Sequence, residues 1–334
     1  MKFLPCVPSK KETKRKNIYQ STFNFLLPFF IFAYYIYYHT IIGGSGPEAG
    51  TDLFTKVVTL HRKRLGNFYK SDRDAPNILL LSVSDLGGPR TKIDCEVGIE
   101  GYERSLLALL QTIKKILPLV DVFCVACNTL HIFESNIIEL LVSMGKDPSI
   151  FISMIKSTTK VCKGFIEKGK KTSLPTNINS KAKISIVGGP GTMDLDGNSP
   201  YRRLVEDLDD GGNDNGNGND ETTTKIIYRL PTTACDTLKK VIWQIKQDGI
   251  PSEESIVEYK RFVIEDVVSN GVKVCILACT ELPLIHIDDD DGLHNSIDSN
   301  STDSLSPSSM RFIDPTEVVA NELLNATQSY PGEN

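Results

Sequence analysis

Two segments of this chain end alike, and their ending constrains the fold more than anything else in it. Val120-Asp121-Val122-Phe123-Cys124-Val125-Ala126 runs into Cys127-Asn128-Thr129, and Val272-Lys273-Val274-Cys275-Ile276-Leu277-Ala278 runs into Cys279-Thr280-Glu281. Each apolar run has the length and β-branched content of a buried strand. Each is followed by a polar pair and helix-like sequence, so a cysteine stands at the carboxyl end of a strand in both halves of the chain. In open α/β sheets that edge is where ligands bind. Two thiols delivered to one cleft can stand on opposite faces of a single substrate carbon. That arrangement suits removing a proton from one face and returning one to the other.

Strand and helix patterns alternate from residue 41 onward, which predicts an α/β fold with parallel sheets covered on both faces. Strands are expected at 37–42, 77–82, 120–126, 151–155, 183–187, 226–230 and 272–278. Helices are expected at 50–64, 101–117, 133–144, 157–169, 201–207, 235–247, 252–271 and 315–325. Asp314, Pro315 and Glu317 give the last helix a capping-box start. Gly43-Gly44-Ser45-Gly46 precedes Cys127 much as Gly188-Gly189-Pro190-Gly191-Thr192 precedes Cys279. The simplest architecture is therefore two similar half-domains, each a parallel sheet flanked by helices, with the active-site cleft between them. The expected division is 37–145 plus 312–330 for the first half and 146–287 for the second. Residues 288–311 form an acidic, Ser-rich insert expected to be disordered, and 207–224 an Asp/Asn/Gly-rich loop.

With 334 residues, 40% hydrophobic and 24% charged, the chain has ordinary globular composition. A net charge of −5 gives no electrostatic argument for nucleic acid. Eight cysteines, most inside apolar runs, are too few for a disulfide scaffold and favour a reducing, cytoplasmic setting. No metal is expected: the cysteines of Cys124-x-x-Cys127 lie along a strand, where i and i+3 point to opposite faces, and zinc ligands usually sit on tight turns.

Residues 1–36 stand apart. No charged residue occurs between Lys16 and Glu48, and a basic cluster (Lys10, Lys11, Lys14, Arg15, Lys16) precedes the apolar run. The run alone could span a bilayer. Once its last residues are given to the first strand, what remains is closer to a signal-peptide core. A membrane anchor, a targeting segment, a mispredicted gene start and an apolar strand extension all stand as readings.

The chemistry-bearing residues follow from the two cysteine turns. Cys127 begins a helical turn, where backbone N–H groups and the helix dipole favour a thiolate. Asn128 and Thr129 can cap the turn or donate to a bound carboxylate. His131 can tune the thiol or simply pack. Thr280 repeats the donor role, and Glu281 can orient groups near the second thiol or make a structural helix-start contact. The Ser45 turn lets backbone amides approach an anion. It lacks the spacing of a dinucleotide fingerprint or a P-loop.

These stretches, with Ile41 to Ala49, Gly191-Thr192-Met193, Leu282-Pro283 and Ile313-Asp314-Pro315-Thr316, resemble the cofactor-independent aspartate/glutamate racemase family, most of all its aspartate racemase branch. The resemblance runs in order over residues 40–325. It implies a racemase that needs no pyridoxal phosphate, acting on an acidic amino acid and assembled as a homodimer. It implies Cys127 and Cys279 as the two acid/base residues, one thiolate and one thiol. Ser45, Asn128, Thr129 and Thr280 are the implied donors to the substrate. Arg90, in Pro89-Arg90-Thr91, and Lys246 are the implied ligands of its second carboxylate. Two departures bear on the substrate. Ser82-Val83-Ser84-Asp85 stands where the family often has Asn, and Thr280-Glu281 replaces the Thr-His usual in glutamate racemases. The second favours aspartate or a broad acidic substrate. A related cysteine-dependent isomerase or decarboxylase, and a non-catalytic binder of acidic amino acids, are the rival readings.

Overall fold

A computed structural model describes residues 37–87, 99–172, 183–195, 197–209, 227–285 and 310–327. In the first half, β1 (His39–Gly43) leads through Gly44-Ser45-Gly46 into α1 (Pro47–Leu65). Next come β2 (Ile78–Ser82), α2 (Ile99–Ile116), β3 (Val122–Val125), α3 (Glu134–Ser143) and β4 (Phe151–Ile152). After α4 (Met154–Thr172), the second half runs through β5 (Lys183–Val187), α5 (Pro190–Met193), α6 (Arg202–Asp209), β6 (Ile227–Tyr228) and α7 (Thr232–Asp248). It continues with α8 (Glu253–Tyr259), α9 (Glu265–Ser269), β7 (Val272–Leu277) and β8 (Arg311–Ile313), and α10 (Pro315–Thr327) closes the described chain.

The strands form two four-stranded sheets, ordered β2-β1-β3-β4 and β6-β5-β7-β8, with every pairing parallel. The two orders are the same, as the repeated glycine turns and cysteines led one to expect. The central strands β1, β3, β5 and β7 are buried almost throughout. That is what a parallel sheet covered on both faces requires of its sequence. The edge strand β2 is only partly covered.

The halves interlock rather than meeting at residue 145. β4 pairs with β3 in the first sheet, yet the helix that follows it carries Ile155 and Cys162 into the core of the second. β8 pairs with β7 in the second sheet, and α10 then packs on α1 and β3 of the first. The chain thus changes sides just after Ile152 and again just after Ile313.

Several boundaries move for local reasons. α1 begins at Pro47 instead of at residue 50, because the proline takes the N1 position after an extended Gly46 N-cap. The strand expected at 151–155 stops at Ile152 because the Ser153 hydroxyl accepts from the Lys156 N–H at 3.2 Å and starts a helix. The helix expected over 252–271 is interrupted by a π-helical turn at Lys260–Ile264. β8 has three residues and follows a polar insert, so no periodicity announces it. Residues 1–36, Arg90 and the insert at 288–309 lie outside the described residues. Among those described, no helix is long and apolar enough to cross a membrane.

The second crossing is pinned by charge. Asp314 Oδ1 accepts from the Thr316 N–H at 2.8 Å and so starts α10. Its Oδ2 meets Lys56 Nζ of α1 at 2.5 Å, and the same ammonium bonds Asp52 and, at 2.7 Å, Thr316 Oγ1. Burial pushes the Lys56 ammonium down, but Asp314 and Asp52 more than offset this and hold it above the usual lysine range. Removing the cation leaves two mostly buried carboxylates facing each other. Lys56→Met is expected to lower the stability of the fold by about 2 kcal/mol, less than for a fully buried pair because these side chains keep some contact with water. The urea midpoint should fall with little change in slope, and an unchanged midpoint would show that the cluster carries no stability.

Candidate active site

In each sheet the strand order reverses between the two central strands, so their carboxyl ends form the crevice where α/β sheets bind ligands. In the first sheet those ends carry Ser45 after β1 and Cys127 after β3. In the second they carry the Gly188–Thr192 turn after β5 and Cys279 after β7. The Ala126 N–H bonds Ile42 O at 2.8 Å and the Ala278 N–H bonds Val187 O at 2.7 Å, so each ladder is carried to the residue before its cysteine. Cys124 and Cys275, inside the strands, are fully buried.

The first turn needs glycine for room. Gly44 has φ +114°, and a Cβ there would fall 2.2 Å from Val83 O. At Gly46 a Cβ would fall 2.5 Å from Glu281 Oε1, which comes from the other half of the chain. The glycine at 46 is what lets the Glu281 carboxylate reach the Ser45 turn.

A polar series then runs from one thiol to the other. The Cys127 Sγ–H donates to Ser45 Oγ at 3.3 Å. Lys246 Nζ, from the last turn of α7, donates to Ser45 O at 3.0 Å and to Glu281 Oε1 at 2.7 Å. Glu281 Oε2 accepts from Cys279 Sγ at 2.9 Å and from Thr280 Oγ1 at 3.2 Å. Lys246 thus bridges the halves. Burial pushes the Lys246 ammonium down, but Glu281 and the two cysteines raise it above the usual lysine range. Burial pushes the Glu281 carboxyl up, but Lys246 and the hydrogen bonds it accepts bring it below the usual carboxylate range. For Cys279, burial and then the Glu281 charge push the thiol well up, and Lys246 offsets only part of this.

Two further contacts cross the cleft. The Tyr201 hydroxyl donates to Asn128 Oδ1 at 2.7 Å, and Thr129 Oγ1 lies 3.2 Å from Thr192 Oγ1. Asn128 Nδ2 is buried with no hydrogen-bond partner among the described residues, a donor left for a ligand that accepts. His131 is placed differently. Its Nδ1 lies 2.8 Å from Cys127 O, and its Nε2 accepts from the Met154 N–H at 3.0 Å. With both nitrogens engaged by backbone, the ring pins the Cys127 turn to the first chain crossing and stacks on Phe151.

The structure therefore brings together Ser45, Cys127, Asn128, Thr129, Lys246, Cys279, Thr280 and Glu281. It leaves His131 behind the cleft, and Arg90 lies outside the described residues. Thr192 and Tyr201 also belong to the cleft. Thr192 shows itself in sequence by its place in the second glycine turn and in the Gly191-Thr192-Met193 stretch of the resemblance, and Tyr201 by nothing beyond a helix pattern. Among the described residues no group of three or more His, Cys, Asp or Glu is placed to hold a metal ion.

His131 carries a pH dependence. Burial lowers its pKa from 6.5, although the Cys127 carbonyl and Glu134 pull the other way. The unfolded chain then takes up a proton near pH 6.5 that the folded chain refuses until lower pH. Its contribution to stability is thus present above 6.5 and lost as pH falls below it. His131→Gln should flatten the slope of unfolding free energy against pH between about 7 and about 5. Parallel slopes in urea titrations of the two proteins would refute the assignment.

No protein-family model matches the chain, and no curated protein does. Among solved structures the chain is similar to a candidate Asp/Glu racemase from Yersinia pestis, with 19% identity and a TM-score of 0.56, over 87% of this chain and 100% of that one. It is also similar to an aspartate racemase homologue from Pyrococcus horikoshii OT3, with 17% identity and a TM-score of 0.52, over 86% of this chain and 98% of that one. The likeness is one of fold.

Proposed function

We propose that this protein is a cofactor-independent racemase of an acidic amino acid, with aspartate the first candidate substrate. The observation that carries the reading is the pair of cysteine turns at the two strand-order reversals, joined across the cleft through Ser45, Lys246 and Glu281. The shared fold with the two racemase-named structures supports it. Cys127 and Cys279 act from opposite faces of Cα, one removing the proton and the other supplying one, with the roles exchanged for the other enantiomer. An amino-acid α-proton is far less acidic than a thiol, so position must supply much of the rate. Donors at the α-carboxylate stabilise the charge that develops on it. The unpartnered Asn128 Nδ2 suits that task, with Thr129 and Thr280 beside it. Lys246 binds the side-chain carboxylate, and Arg90 is proposed as its companion. Aspartate is favoured over glutamate because Glu281 stands where glutamate racemases usually carry His.

The reduced full-length protein is to be incubated with L-aspartate in deuterium oxide without added cofactor. D-Aspartate carrying deuterium at Cα is the expected product, read by chiral chromatography and mass. Cys127→Ser and Cys279→Ser should each cut the rate by about 10² to 10⁴, the usual worth of one positioned acid or base. Either variant racemising at the parent rate would sink the two-thiol mechanism. Silence with both aspartate and glutamate would favour a related isomerase or decarboxylase, or a binding protein.

A further inference from the structure

The two thiols, alike in sequence, meet different surroundings. Cys127 faces a hydroxyl, that of Ser45, which can donate to a sulfur anion as well as accept from a thiol. Cys279 faces a carboxylate oxygen at 2.9 Å, and Glu281 is 1% exposed. A contact of that length between sulfur and a carboxylate needs a proton between them, since two anions so close, one of them fully buried, repel strongly. Glu281 is held in place from three sides. Lys246 bonds its other oxygen, Thr280 bonds the same oxygen as Cys279, and the bare Cα of Gly46 leaves room for it. The other ionisable neighbours of Cys279 are Lys246 on α7 and Tyr259 on α8, whose buried phenol stays neutral.

We propose that Glu281 is a positioning residue that keeps Cys279 in its protonated form in the free protein, so that the first turnover begins with Cys279 as the acid and Cys127 as the base. The two-thiol frame is thus asymmetric at rest. The state of Cys279 follows from geometry alone; its consequence for catalysis rests on the racemase reading above. In the step itself the α-proton passes to the Cys127 sulfur. The electron pair of that C–H bond enters the enediolate and returns to form a new C–H bond on the opposite face. The proton for it comes from Cys279 as its S–H bond breaks. Cys127 then holds the proton and Cys279 the negative charge, beside Glu281. That state relaxes when water takes the proton from Cys127 and returns one to Cys279, or when a substrate of the opposite hand gives its α-proton to Cys279 and receives one from Cys127.

The test reads Cys279 directly. In full-length Cys127→Ser protein, iodoacetamide labelling of the peptide carrying Cys279 is followed by mass spectrometry across pH. Adding Glu281→Gln should move the labelling profile to lower pH and speed labelling about tenfold near neutral pH, because the thiolate is the nucleophile. Adding Lys246→Met should move it to higher pH, because the carboxylate then faces the sulfur without its counter-charge. The pH position of the profile, unlike its absolute rate, does not shift when access alone changes. A Glu281→Gln profile superimposed on that of the parent, or both variants moving it in the same direction, would overturn the proposal. If Glu281→Gln does not fold by circular dichroism, the Lys246→Met profile decides, and an unmoved profile or one at lower pH overturns it. These outcomes need no substrate. Loss of the racemase reading in the deuterium experiment would leave the labelling result intact, and the reverse.

Discussion

Parallel strands cannot be joined by tight turns, and the molecule depends on that constraint. Every connection must cross over the sheet, so a strand's carboxyl end always opens into a loop and its amino end always receives one. When β1 is laid between β2 and β3, the loops after β1 and β3 leave towards opposite faces of the sheet. A crevice opens between their first residues, and Ser45 and Cys127 line it. The second sheet repeats the order, and Cys279 lies at the end of β7 for the same reason. The burial of β1, β3, β5 and β7 fixes where the four loops begin, and the loops fix the chemistry.

What joins the two crevices is an ion pair between a buried carboxylate, Glu281, and a partly exposed ammonium, Lys246. Lys246 and Glu281 come from one half of the chain and Ser45 from the other, so the ammonium holds the halves together at the cleft. A lone buried ammonium or carboxylate would be expelled or neutralised. Together, with the Ser45 carbonyl and the Cys279 thiol completing their hydrogen bonds, they can remain ionised.

The sequence made the central strands and both cysteine turns legible, because buried parallel strands read as unbroken apolar runs and the glycine turns have no other use. It was silent where structure depends on pairing across long separations. Nothing near Phe151-Ile152 tells which sheet that strand joins, and its two residues are too few for a period. The Asp314 capping signal marked where α10 begins, but not that Lys56, more than 250 residues earlier, would hold it. His131 illustrates a different limit. Its spacing from Cys127 suits a catalytic partner and a helix-turn strut equally, and only the engagement of both ring nitrogens by backbone separates the two. For Tyr201, neither its type nor its neighbours in sequence point to Asn128.

The interlocked halves also account for how the two sides of the cleft are held to each other. Were each half a closed domain on a linker, the distance between Cys127 and Cys279 would follow every motion of that linker. Here the chain crosses after Ile152 and again after Ile313, and each crossing is pinned by polar contacts. His131, Glu134 and Ser153 hold the first; Lys56, Asp52 and Thr316 hold the second. Both networks lie on the elements that carry the site. His131 bonds the carbonyl of Cys127, and Lys56 stands on the helix that the Ser45 turn begins. The placement of the two cysteine turns is therefore held by the covalent path and its two clasps.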